Sequence, residues 1–294
     1  MWILYILLAA MIAAFYTLTA QNIKFSANVF MVYRGFVVSL FLAPFLFYKP
    51  VIFSYPFYLI SVLQGFIIAY VDFVAFKLNQ KYGSEVVSAI TPFSVVLTFF
   101  VWCFLDTGLL SEYFRNPKQF CLILIAICGV VLSLTKYQKV QYTREAFVFM
   151  LPVVVLSSVL AVLNKKVMLY STDNLFCCAC QNVFIFCFVV GIIHLWLYKR
   201  NNKNIKKLLT AENLQKSSMF VLLLCVMILK QIAMHDALNP AYVSCLFYTM
   251  ILWVMFFSRF IVCLKFKKAD MQGSRKWKIV FVASIALLVS VIQK

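Results

Sequence analysis

Residues 119–135, QFCLILIAICGVVLSLT, carry no charge and are closed at either end by Lys118 and Lys136. A half-buried strand would alternate apolar and polar residues, and this run does not. Read as a helix, it covers about 25 Å of a hydrocarbon core that is about 30 Å thick. Similar stretches recur at roughly 2–20, 28–47, 56–77 and 84–105 before it, and at 146–167, 175–197, 218–237, 241–264 and 277–293 after it. Short polar connections separate them. The expected fold is therefore an all-α integral membrane protein of ten transmembrane helices, since continuous hydrophobicity also lacks the dyad pattern of a membrane barrel.

Composition supports this solvent. Of 294 residues, 65% are hydrophobic and only 12% charged, with a mean hydropathy of +0.96, more apolar surface than a soluble domain of this size can bury. The formal charge of +18 would suit a nucleic-acid binder, but the basic residues sit in loops and at span ends, where anionic lipid and the positive-inside rule account for them. The bilayer is the expected partner and nucleic acid is not. The apolar run after Met1 has no basic leader and no small-residue cleavage site before Gln21, so it reads as a retained first helix. The ten cysteines, Cys177, Cys178 and Cys180 among them, lack the thiol and imidazole spacing of a zinc site and read as small packing residues; neither metal nor cofactor is expected.

The ten spans divide at the basic connection Lys136 to Arg144 into residues 1–137 and 145–294. In each half a first helix ends in an Asn/Lys tip, Asn22 to Lys24 and Asn164 to Lys166. The third and fourth helices are joined by tight turns, Lys81 to Ser84 and Asn239 to Ala241. The next helices open on Val87-Ser88-Ala89-Ile90 and Val243-Ser244-Cys245-Leu246. Two repeats of five spans each must lie in opposite orientation, the inverted plan of many secondary carriers. Odd-numbered loops hold most of the basic residues, which places them in the cytoplasm and both termini outside.

Ionisable and amide groups inside the spans are expensive unless they face a partner or a wet cavity, which singles out Arg34, Asp72, Gln181, Lys230 and Gln231. Arg34 and Asp72 lie about 8–9 Å deep from the same side, at equal depth and with opposite charge, and so form a candidate pair. Headgroup snorkelling by Arg34 is the competing reading. Lys230 and Gln231 occupy the corresponding depth in the eighth helix from the opposite face, a placement that suits a zwitterionic substrate or a structural ion pair. Tyr70, Phe73, Tyr248 and Trp253 are aromatic neighbours able to stack a planar base, although packing explains any one of them equally well. Pro92 and Pro152 are candidate kinks. The rival class, a membrane enzyme, rests on His235-Asp236 and His194, which supply neither a metal constellation nor a nucleophile with its base.

The five-plus-five plan resembles the drug/metabolite transporter superfamily, in particular its EamA-like members, over nearly the whole chain. Phe30-Met31-Val32-Tyr33-Arg34-Gly35 resembles that family's entry to the second helix, Val86-Val87-Ser88-Ala89-Ile90-Thr91-Pro92 its fourth-helix segment, and Leu163-Asn164-Lys165-Lys166 its sixth-helix tip. Together these segments look most like the S-adenosylmethionine carriers of obligate intracellular bacteria. The resemblance implies alternating access in a bacterial cytoplasmic membrane. Aromatic side chains would hold adenine, Asp72 the sulfonium or amino group, and Arg34 or Lys230 the carboxylate; an exporter of amino acids or other small metabolites is the alternative within the same fold. The acidic residue that closes the fourth helix of such carriers is matched by Asp106, whereas the ninth meets Lys265 to Lys268 instead. Family habit keeps both termini cytoplasmic, opposite to the charge bias. Oligomeric state has no signal, the chain having seven glycines and no GxxxG pattern.

Overall fold

A computed structural model describes residues 1–20, 27–48, 54–82, 84–137, 144–171, 174–201, 210, 213, 216–260 and 275–293. Among them the regular structure is helical throughout: α1 (Trp2–Ala20), α2 (Ala27–Tyr48), α3 (Tyr55–Tyr82), α4 (Ser84–Ile90), α5 (Phe93–Leu105), α6 (Thr107–Arg115), α7 (Pro117–Tyr137), α8 (Arg144–Met168), α9 (Leu175–Arg200), α10 (Phe220–Asp236), α11 (Pro240–Phe247), α12 (Met250–Phe260) and α13 (Arg275–Ile292). Seven segments are long and apolar enough to cross a bilayer, and α5 with α6 makes an eighth if that bent pair is one span. The chain is a multi-pass membrane protein by this measure. Of the other expected spans, α10 is short at 17 residues, and α13 opens on Arg275, Lys276 and Lys278. The tip Asn22 to Lys24, residues 138–143 of the central connection, Gly83 of the first tight turn and Lys265 to Lys268 lie outside the described residues.

Local chemistry sets the boundaries. Pro56 and Pro117 stand in the first turns of α3 and α7, where a missing N–H costs nothing. Pro92 breaks the expected span 84–105 between α4 and α5, because it cannot donate into the ladder and its ring crowds the preceding turn. Pro152 is accommodated within unbroken α8, as is Pro44 within α2. A second lapse in helical hydrogen bonding, at Tyr248 and Thr249 between α11 and α12, has no proline to cause it. Asn239 opens α11, its Oδ1 accepting from the Ala241 N–H at 2.9 Å, with Pro240 at the first helical position.

Asp106 ends α5 and starts α6, which leaves at 101° to it. Its backbone N–H closes α5 onto the Trp102 carbonyl, while its carboxylate accepts from the Leu109 N–H at 3.0 Å. Asp106→Ala should therefore lose about 1 kcal/mol, while Asp106→Asn keeps most of it. Thermal melting in detergent compares the three proteins.

The chain forms two compact units. One comprises Met1–Phe73, Leu163–Asp236 and Thr249–Lys268. Within it α2 packs along α9 in antiparallel register: Gly35 meets Gly191, the Ser39 hydroxyl reaches the Phe184 carbonyl at 3.3 Å, and Phe45 meets Phe176. Ala9, Ala10, Ala13 and Ala14 give α1 a face of small buried residues, and α1 packs against α10 and α12. Helix α3 runs parallel to α9, with Tyr58 beside Gln181 and Ala69 beside His194.

The other unit comprises Val74–Val162, Ala237–Tyr248 and Ala269–Lys294. Here α7 lies antiparallel to α13, with Gly129 against Ser284 and Gln119 Nε2 donating to the Val291 carbonyl at 3.3 Å. Helix α5 lies antiparallel to α11: Asn239 Nδ2 donates to the Phe99 carbonyl at 3.4 Å at one end, and Ser94 bonds Tyr248 at the other. Helix α6 tucks Tyr113 under Phe99 and against the Tyr242 hydroxyl. Large apolar side chains such as Leu40, Phe104, Phe114 and Ile125 are exposed, as lipid contact allows and water would not.

Candidate functional site

The first unit gathers the charged side chains found inside apolar helices. Arg34 on α2 and Asp72 on α3 form an ion pair through Nη1 and Oδ2, as their depths predict. Their side chains retain only 15% and 28% of their exposure, so the pair is shielded on most sides. Lys230 on α10 lies close enough to Asp72 for the two charges to attract. Tyr16 on α1 and Cys187 on α9 lie within electrostatic range of both Arg34 and Asp72. His194 of α9 sits at the same level, its Nε2 3.2 Å from the Ala69 carbonyl and its ring 5.7 Å from that of Phe73. Five helices, α1, α2, α3, α9 and α10, thus place groups within electrostatic range of one carboxylate.

Backbone packing holds this cluster in place. Gly35, the residue after Arg34, is where α2 touches α9 backbone to backbone; a Cβ there would lie 2.5 Å from Gly191 Cα. Gly65, two turns before Asp72, brings α3 against the Val189 side chain of α9, where a Cβ would lie 2.6 Å from Val189 Cβ. Both glycines are required by close approach. Arg34 and Asp72 are therefore presented from helices fixed against a common neighbour.

The remaining sequence candidates divide. Gln181 donates through Nε2 to the Tyr58 hydroxyl at 3.2 Å, linking α9 to α3. Gln231 is buried and donates to Asn164 Oδ1 at 2.7 Å, and beside it Lys165 Nζ donates to the His235 carbonyl at 2.6 Å, fastening the end of α8 to that of α10. Gln231 is in this respect a helix tie. Tyr70 is not part of the cluster. Leu59, Leu63, Phe66 and Tyr70 form an exposed stripe at helical spacing on α3, away from the buried stripe of Phe57, Ser61, Gln64 and Ile68. Tyr248 belongs to the other unit, bonded to Ser94.

His235 and Asp236 touch, Nδ1 to Oδ1 at 2.6 Å, in a partly exposed position at the end of α10. Among the described residues no three His, Cys, Asp or Glu side chains come together as a metal site. Tyr16, not singled out in the sequence, belongs with the site, and so does His194, which the sequence offered only to the enzyme alternative. Gln64 and Asn182, completely buried in the same unit, carry the signal that picked out Gln181 and Gln231, a polar side chain within an apolar span. No protein-family model matches the chain, and no curated protein matches it in sequence.

Proposed function

We propose that the chain is a secondary transporter, moving a small polar metabolite across a bacterial cytoplasmic membrane by alternating access. It is read as an EamA-like member of the drug/metabolite transporter superfamily, with ten spans in two inverted repeats, 1–137 and 145–294. The observation that carries the function is the Arg34–Asp72 pair, with Lys230 within electrostatic range of Asp72, held inside an apolar bundle. A charged pair in hydrocarbon costs several kcal/mol to place there, and a hydrophobic substitute would serve packing alone as well or better. A substrate that carries both an ammonium or sulfonium and a carboxylate can exchange partners with such a pair without leaving a charge bare.

The pattern of helix pairing supports the repeat. Counting spans in chain order, α2 and α9 are the second and seventh, α5 and α11 belong to the fourth and ninth, and α7 and α13 are the fifth and tenth. Each packs antiparallel to the span five places later, as two repeats of opposite orientation require. The helical lapses at Thr91-Pro92 and at Tyr248-Thr249 fall within one residue of matching places in the two halves, counted from Val87 and Val243. Interrupted segments at corresponding positions are a mark of carriers whose helices open a central path.

S-Adenosylmethionine is the proposed substrate, its amino acid end and sulfonium matching the mixed charges. The test is uptake of labelled S-adenosylmethionine by liposomes containing the purified protein, with and without the compound or its demethylated product trapped inside. Saturable uptake stimulated by internal substrate is expected. No uptake above empty liposomes, from protein shown to be folded, overturns the substrate assignment and favours the amino acid exporter.

A further inference from the structure

Residues 86–105 and 119–135 carry no charge, whereas Asp106, Glu112, Arg115 and Lys118 fall between them. Twenty residues of helical rise are about 30 Å, the thickness of the hydrocarbon core, so α4 and α5 together are long enough to cross it without α6. Helix α6 has nine residues, about 13 Å, and leaves α5 at 101°, so it makes almost no progress along the line of that helix. Helix α7 then returns beside α5, with the Phe120 ring 6.1 Å from that of Phe99. The uncharged runs thus end at one surface, at Leu105 on one helix and Gln119 on the next, and α6 lies in the layer between them.

The faces of α6 agree with that level. Leu109 and Tyr113 are buried. The Tyr113 ring stacks on Phe99 at 5.8 Å and lies 5.4 Å from that of Phe120, and its hydroxyl meets that of Tyr242 on α11. Phe99 precedes Asp106 by about 10 Å along α5, so this stripe looks down into the apolar bundle. Leu110 and Phe114 stand about 100° further round the helix, and Phe114 is 75% exposed. Phe104 and Leu105, the last residues of α5, are exposed at the same level. Ser111, Glu112 and Arg115, all exposed, occupy the arc opposite. The apolar half of α6 is therefore covered by the bundle on one side only.

We propose that α6 is a membrane-surface helix whose partner is the lipid bilayer: it lies flat in the headgroup layer, with Leu110 and Phe114 at the acyl boundary and Ser111, Glu112 and Arg115 in water. Lipid is the occupant because the uncovered apolar side chains sit with Phe104 and Leu105 at the depth where the uncharged runs end. Asp106 and Glu112 balance Arg115 and Lys118, so apolar burial holds the helix, unlike the basic segments drawn to anionic lipid. Through the Asp106 cap and the Tyr113 hydroxyl, the bilayer surface then fixes the height of α5 and α11. The inference rests on the multi-pass reading of the chain and is independent of what the chain transports.

Phe114→Trp and Ser111→Trp put a fluorescent reporter on the two sides of the helix, and both positions are exposed, so each variant should melt close to the wild type. The purified full-length proteins are placed in phosphatidylcholine nanodiscs, and wild-type emission is subtracted from that of each variant. Lipid brominated in the acyl chain just below the headgroup should quench the added emission of Phe114→Trp about twofold or more, and lipid brominated near the chain ends should quench it less. Acrylamide in the water should quench Ser111→Trp and spare Phe114→Trp. Phe104→Trp, at the same level on α5, should follow Phe114→Trp and stands in for it if that variant melts early. Adding phosphatidylglycerol should change none of this. Stronger quenching of both α6 variants by the chain-end bromines would make α6 part of a span or a re-entrant loop. Quenching of Phe114→Trp by acrylamide alone would place the helix in water, and quenching by neither agent would mean that protein covers this face. Each of these results, or a pattern that requires phosphatidylglycerol, overturns the proposal.

Discussion

Arg34→Ala and Asp72→Ala should each destabilise the protein by about 3 kcal/mol or more, and the double variant should recover most of that loss while remaining inactive. Each single substitution leaves one charge in a shielded site from which its partner has gone, since the Arg34 and Asp72 side chains are only 15% and 28% exposed. Removing both takes the unpaired charge away. Melting temperatures of the four proteins in one detergent form a double-mutant cycle that isolates the coupling. Transport separates a working pair from a purely structural one. A structural pair predicts that the double variant, once stable, also transports; a substrate-exchanging pair predicts uptake reduced by tenfold or more in all three. Lys230 sharpens the second case, because its attraction to Asp72 disappears in both variants that lack the carboxylate. Asp72→Asn, which keeps the shape and removes the charge, should behave as Asp72→Ala does for uptake. Wild-type uptake by Asp72→Asn at normal expression would remove Asp72 from the site.

The parts of this fold legible in the sequence are those set by solvent alone. Runs such as 2–20 and 119–135 are bounded by polar or charged residues, and α1 and α7 appear there within about two residues. The Arg34–Asp72 pair was legible for a related reason: charges in spans are so few that depth arithmetic left little choice of partner. Rotation about a helix axis was not legible. In α3 apolar residues cover every face, so nothing in the sequence told Tyr70, on the exposed stripe, from its buried neighbours Ile68 and Ala69. Helix α6 was missed because its nine residues, TGLLSEYFR, mix both characters and read as a polar connection. Only the sharp turn at Asp106 shows Leu109 and Tyr113 to be its buried face. Asn164, Lys165 and Lys166 looked like a polar tip; the structure continues α8 through them and uses Asn164 and Lys165 to hold α10.

Gly35→Ala should be the most damaging single-methyl change in the first unit, costing about 1–3 kcal/mol. A Cβ at Gly35 would lie 2.5 Å from both Cα and N of Gly191 and 2.7 Å from the Cys187 carbonyl oxygen, all backbone atoms. Such a contact is relieved only by moving α2 away from α9, and α9 is also held by α3 at Gly65 and by α10. Gly191→Ala adds the same methyl to the other side of the crossing. There the nearest atoms are three ring carbons of Phe36 at 3.3 Å, which a small rotation of the ring accommodates. The pair of variants is thus asymmetric although the two glycines face each other: Gly35→Ala should melt several degrees below Gly191→Ala, which stays near the wild type. Arg34 precedes Gly35 in the chain, so a helix that shifts to admit the methyl also displaces the guanidinium from Asp72. Uptake by Gly35→Ala should accordingly fall further than its folded fraction does, because small errors in the position of a binding group cost far more in rate than in stability. Equal melting of the two variants would mean that α2 and α9 do not cross at this point, and with that the rigid presentation of Arg34 would be lost as well.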